Sequence, residues 1–201
     1  TVLAAACLHD IGRFDQFEKY GTFNDGRSEN HGRLGRRVLG RLGVLNHLPE
    51  TRQQQILDAV AHHNAFALPG DMDATTRTVS MLVRDADKLD IYRVMTDLYS
   101  RKPMPGKTSF VSHYLPDDGQ IKPERVADIE NGHMVDIRDI RTLNDMKMLQ
   151  ISWVFDLNYP AAFTLLGQRG YIEKILASMP ESVLRDRVEK VVTDYCSRHS
   201  S

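Results

Sequence analysis

Cysteine is scarce in this chain of 201 residues. The two present, Cys7 and Cys196, lie far apart and in no Cys-x-x-Cys spacing, which excludes a disulfide scaffold. Cys7 sits in the apolar run Val2-Leu3-Ala4-Ala5-Ala6-Cys7-Leu8, so it is expected to be a buried thiol acting as a small hydrophobe. Long hydrophobic runs are also missing. None approaches the roughly 20 residues of a membrane span. No basic segment precedes an apolar core in the manner of a signal peptide. A cytoplasmic chain with no membrane partner is the expectation. An excess of positive charge is lacking too, since the formal net charge is -1. That argues against recruitment to nucleic acid by bulk charge, although 26 lysines and arginines leave room for a local basic pocket. Strand-like alternation, repeats and low-complexity segments are nearly absent.

What is present is helical patterning. Apolar residues make up 41% and charged residues 26%, the balance of an ordinary globular protein long enough for one full core. Leu34, Val38, Leu42 and Leu45 recur at spacings of three and four, the mark of an amphipathic helix within 28–45. The same pattern is seen over 51–63 and 75–99, and later over 143–157, 161–166, 171–179 and 182–195. The expected fold is all-α, a single-domain helical bundle spanning 1–201. Helices over 1–100 and 123–201 flank a long loop over 101–122, which is rich in proline and glycine. Such a loop is either a lid over a pocket or a surface excursion. The C-terminal part either caps a pocket or offers a dimer face, and Trp153, Phe155, Tyr159 and Phe163 there read as core.

Four polar clusters fall on helix ends or on helix faces that also carry apolar residues. His9-Asp10 ends the first helix, and His31 opens the next patterned one. His62-His63 closes the third, and Asp85, Asp87 and Asp90 lie inside the fourth. Packed helices can aim such groups at one point. Imidazole nitrogen with carboxylate oxygen suits first-row metals such as Fe, Mn, Ni, Co and Zn. Asp10 can bridge two ions. Consecutive His62 and His63 diverge by about 100° on a helix, so each is placed to serve a different ion. Asp87 is four residues after Val83 and eight after Val79, so it shares their inward face, whereas Asp85 points nearly opposite. The metal ligands are therefore expected to be His9, Asp10, His31, His62, His63 and Asp87.

The dyad Leu8-His9-Asp10-Ile11-Gly12, with the later Ala86-Asp87-Lys88-Leu89-Asp90, resembles the HD superfamily of metal-dependent phosphohydrolases. His31, His62 and His63 resemble the extra histidines of its two-metal branches. The resemblance covers roughly His9 to Asp90. The family's first histidine normally lies some tens of residues before the dyad. Either the sequence begins beyond that helix or this member lacks the ligand, and the helical, methionine-free start favours the first. Arg13 stands where the HD-GYP branch usually has lysine, and no Gly-Tyr-Pro follows His62-His63, which points away from cyclic di-GMP as substrate.

The resemblance implies hydrolysis of a phosphate mono- or diester, of a nucleotide or a small phosphorylated metabolite, through metal-activated water. It implies one or two divalent ions, with two favoured, about 3.5–4 Å apart as is usual in two-metal hydrolytic sites. Asp10 would bridge them and orient the nucleophile. Arg13 and Lys88, next to ligands, either neutralise the phosphoryl oxygens as phosphoryl transfer demands or form local ion pairs. Arg27, Arg33 and Asn64 are further candidates. Two other functions share the ligand set or the fold: a di-iron oxygenase, and a catalytically silent nucleotide-binding signalling module. A homodimer is compatible with this reading.

Overall fold

The structure, a computed structural model, describes residues 1–100 and 115–200. Most of the stretch expected to be a lid or an excursion, residues 101–114, lies outside the described residues. Among the described residues the fold is all-α, with no strand. No described helix is long and apolar enough to cross a membrane. The described residues cluster into two compact units, Thr1–Asp87 and Lys88–Ser201.

The first unit contains α1 (Val2–Leu8), α2 (Gly12–Tyr20), α3 (His31–Leu42), α4 (Glu50–His62) and the first half of α5 (Ala74–Ser100). Its core is Ala5, Leu39, Leu45, Ile56, Ala59, Val60, Val79 and Val83. Burying a side chain such as Ile56, Val60 or Val83 contributes about 1.5–3 kcal/mol. Helix α3 starts where the Asn30 side chain accepts a hydrogen bond from the Arg33 backbone N–H at 2.9 Å, which makes His31 the first helical residue. Asp73 caps α5 in the same way, accepting from the Thr75 and Thr76 backbone N–H groups at 3.0 Å each. Helix α2 stops at Gly21, whose left-handed φ of 63° suits glycine. Cys7 corrects an expectation. It is exposed, because the inward face of α1 runs through Ala5 and Cys7 lies two residues round the helix.

Two glycines set how closely the helices approach. A methyl on Gly12 would lie 2.2 Å from the His31 carbonyl oxygen and 2.5 Å from the Gly35 nitrogen. One on Gly32 would lie 2.9 Å from the Val60 carbonyl oxygen. Bare backbone at these points lets the starts of α2 and α3, and the end of α4, come together.

The second unit holds the rest of α5 with α6 (Pro123–Glu130), α7 (Leu143–Ser152), α8 (Pro160–Arg169), α9 (Tyr171–Ala177) and α10 (Val183–His199). Its larger core includes Tyr92, Ile129, Met148, Ile151, Phe163 and Leu166. The fully buried Tyr92 donates its hydroxyl to the Gln150 carbonyl at 2.6 Å. Phe163 is core, and Trp153 and Phe155 pack against that core, as their helical spacing predicts, whereas Tyr159, expected there too, is only half-buried.

Candidate metal centre

Five of the six expected ligands meet in the first unit. The His9 Nε2 lies 3.4 Å from Asp87 and 3.8 Å from Asp10. The Asp10 carboxylate lies 3.2 Å from the His31 Nε2 and 3.7 Å from the His63 Nε2. The two Nε2 atoms of His31 and His63 are 2.9 Å apart. Ligand atoms of His9, Asp10 and His63 all lie within 4.8 Å of one another. His31 and His63 are buried, while the Asp10 side chain is 47% exposed, so the cluster opens to solvent on the Asp10 side.

Each histidine is pinned by its other nitrogen. The His9 Nδ1 bonds the Ala6 carbonyl at 2.7 Å, and the His63 Nδ1 bonds the Val60 carbonyl at 2.8 Å. The His31 Nδ1 lies 2.8 Å from the Asp25 carboxylate. Carbonyls and carboxylates only accept, so all three Nδ1 atoms carry the proton and donate. In the neutral rings all three Nε2 lone pairs then point into a space that also holds two carboxylates. Acceptors crowded together without a donor need a cation or protons between them. Metal-ligating histidines are commonly oriented in this way by a carbonyl or carboxylate behind the ring.

The electrostatics of the bare cluster follow. A hydrogen bond to Asp87 raises His9 from 6.5 to about 9, against the opposing effect of burial. Burial acts to raise Asp10, but hydrogen bonds from His31 and His63 outweigh it, helped by the charges of Arg13 and His9. Its carboxyl is held far below the usual carboxylate range. Burial lowers His31, yet its bonds to Asp10 and Asp25 carry it upward overall. The proton affinities of His9 and His31 are thus raised, and a divalent ion would compete with protons for the same lone pairs.

His62 is not brought into this cluster. It is half-buried, burial lowers its pKa, and its charged neighbours are Asp58, Arg36, Arg33 and Arg84. Asp58 precedes it by four residues and pairs with Arg36, so His62 lies on the α4 face that carries that ion pair. Asp87 is on the cluster side of α5, as helical phase implies. Asp85, expected to point nearly opposite, is itself buried, so that side of α5 is not a solvated face. Arg13 bonds Asp10 through Nε at 3.1 Å and the Phe23 carbonyl through Nη1 at 2.9 Å. Lys88 belongs to the second unit, where its Nζ lies 2.7 Å from Asp156. Arg33 is exposed, and Arg27 ends the short 3-10 turn Asp25–Arg27.

Two contributors were not singled out from sequence. Asp25 accepts from His31, from the Gln16 amide at 2.8 Å and from the Asn64 amide at 2.9 Å. Its place in the Asn24-Asp25-Gly26 turn marks a turn but not what the turn faces. Arg84 is buried and donates to the His62 and His63 carbonyls at 3.2 Å each, and to the Ala65 carbonyl. It satisfies the open carbonyls at the α4 C-terminus, where a cation is favoured, and ties the His63 end of α4 to α5, three residues before Asp87.

Residues 1–92 match the family model described as the HD domain. Over 115 residues the chain is 31% identical to an Arabidopsis thaliana protein described as "Probable plastid-lipid-associated protein 12, chloroplastic", covering 55% of this chain and 27% of that protein. The chain therefore spans about a quarter of the length of that curated relative. No solved structure matches it significantly. The His9-Asp10 dyad, Asp87 and the histidines gathered between them all lie inside the matched segment, and residues 1–92 belong to the HD-domain superfamily.

Proposed function

We propose that this chain is a metal-dependent phosphohydrolase acting on a phosphate mono- or diester of a nucleotide or another small phosphorylated metabolite. The observation that carries this reading is the convergence of three Nδ1-pinned histidines on Asp10 and Asp87. The donor set of nitrogen and oxygen suits Fe, Mn, Co, Ni or Zn. Ligand atoms within 4.8 Å of each other fit bonds of about 2.0–2.2 Å with small adjustments. Two ions are favoured: His9 and Asp87 would hold one, His31 and His63 the other, and Asp10 would contribute to both. Bound there, divalent ions supply Lewis-acid polarisation of a phosphoryl oxygen and a water whose pKa is lowered toward neutrality.

The chain's own residues do the rest. The half-exposed Asp10 orients the attacking water as it enters from solvent. Asp25 fixes the His31 ring and keeps its proton on Nδ1. Arg13 uses Nε and Nη1 for Asp10 and Phe23, which leaves Nη2 to face the phosphoryl oxygens and neutralise their charge. The Lys88 charge is already taken by Asp156.

The test is phosphate release by manganese- or iron-loaded protein across a panel of phosphorylated metabolites. His9→Ala and Asp10→Ala should each abolish it while leaving helical content intact. Normal turnover by either variant would contradict the reading. So would oxygen consumption after anaerobic iron loading without phosphate release, which would favour the oxygenase.

A further inference from the structure

Asp10, Arg13, Phe17 and Tyr20 recur at spacings of three, four and three, so one stripe of α2 and its approach carries all four. The stripe reads in a chemical order: a metal-site carboxylate, then a guanidinium, then aromatic faces. Phe23, from the turn that follows, stacks on Phe17 with ring centroids 4.8 Å apart and planes 21° apart. The Arg13 guanidinium joins the two ends, bonding Asp10 on one side and the Phe23 carbonyl on the other. These rings are not core. Phe17 is 52% exposed and Phe23 47% exposed, whereas the buried residues of α2 are Gly12 and Gln16. A stacked phenyl pair left open to water, one guanidinium away from the metal ligands, is costly unless something covers it.

We propose that Phe17 and Phe23 form an aromatic-recognition subsite, selecting phosphate esters that carry a planar ring. The phosphoryl group lies at the Asp10 end, Arg13 meets its oxygens, and the ring stacks on the open face of the phenyl pair. This rests on the phosphohydrolase reading and adds which esters are preferred. Arg13 sets the reach between the two ends, so a ring too far from its phosphate would miss the pair.

The test is calorimetric binding to the manganese-loaded full chain of benzylphosphonate and ethylphosphonate, whose carbon–phosphorus bonds are not hydrolysed. Benzylphosphonate should bind about five- to 150-fold more tightly, the range that 1–3 kcal/mol of ring stacking converts to. Phe17→Ala/Phe23→Ala should remove that preference and leave ethylphosphonate binding unchanged. Phe17→Tyr/Phe23→Tyr should keep it. Phe17→Leu/Phe23→Leu, which retains apolar volume, should lose most of it even if the alanine pair fails to fold. Equal binding of the two probes by the wild type, or a preference that survives removal of both rings, would overturn the subsite and leave the phosphate site standing. Failure of both probes to bind would overturn the phosphate site along with it.

Discussion

Replacing Gly12 with alanine should push apart two helix starts that the metal centre needs in contact. The added methyl would stand 2.2 Å from the His31 carbonyl oxygen and 2.5 Å from the Gly35 nitrogen, both backbone atoms that cannot swing aside. Reaching ordinary contact near 3.4 Å requires α2 and α3 to separate by about 1 Å. Overpacking of this kind costs about 1–3 kcal/mol. The better helix propensity of alanine returns at most about 1 kcal/mol. A chain of this length should lose roughly 2–8 °C in Tm. The same separation draws Asp10 away from the His31 Nε2, now 3.2 Å distant, so metal affinity should fall about tenfold or more. Gly40, also on α3, is the control. A methyl there meets nothing within 4 Å, so Gly40→Ala should stabilise by about 0.4–1 kcal/mol. Thermal unfolding in chelator, with metal analysis after dialysis, reads both effects. If Gly12→Ala melts with Gly40→Ala and retains its metal, the close-approach argument is wrong.

Three further outcomes are expected. His63→Ala should lose bound metal, whereas His62→Ala should keep it, as measured by elemental analysis; parity between them would return His62 to the ligand set. Asp25→Asn should weaken metal binding by about 10–100-fold through the unanchored His31 ring, and a competition titration with a metal-sensitive dye checks this. In metal-free protein the raised pKa of His9 stabilises the fold fully below pH 6.5, and this is lost as pH rises through about 9. The ceiling is about 3 kcal/mol, lowered by solvent screening because the side chain is 24% exposed. Denaturant titrations at pH 6 and pH 9.5 should show the loss in wild type and a smaller one in His9→Ala.

Much of the site was legible because its ligands lie on regular helices. Val79 and Val83 fix the phase of α5, and Asp87 follows from it by counting. Counting also turns Asp85 away from Asp87, but it says nothing of burial, and α5 buries that position as well. Helix α2 left little trace: its exposed face carries Phe14 and Phe17 while its buried face is Gly12 and Gln16, the inverse of an amphipathic pattern. Asp25 and Arg84 were not legible, because their roles depend on which backbone carbonyls and rings the tertiary fold brings within reach. His62 shows the limit of adjacency: two neighbouring histidines at a helix end diverge, and only the one facing inward joins the cluster.

The central claim is that His9, Asp10, His31, His63 and Asp87 hold divalent metal. Anomalous diffraction from crystals of manganese-loaded protein tests it most directly. The account predicts two peaks about 3.5–4 Å apart, with Asp10 between them, His9 and Asp87 at one, and His31 and His63 at the other. A single peak with His31 and His63 turned away would reduce the centre to one ion. No peak at the cluster, or density centred on His62, would contradict the account.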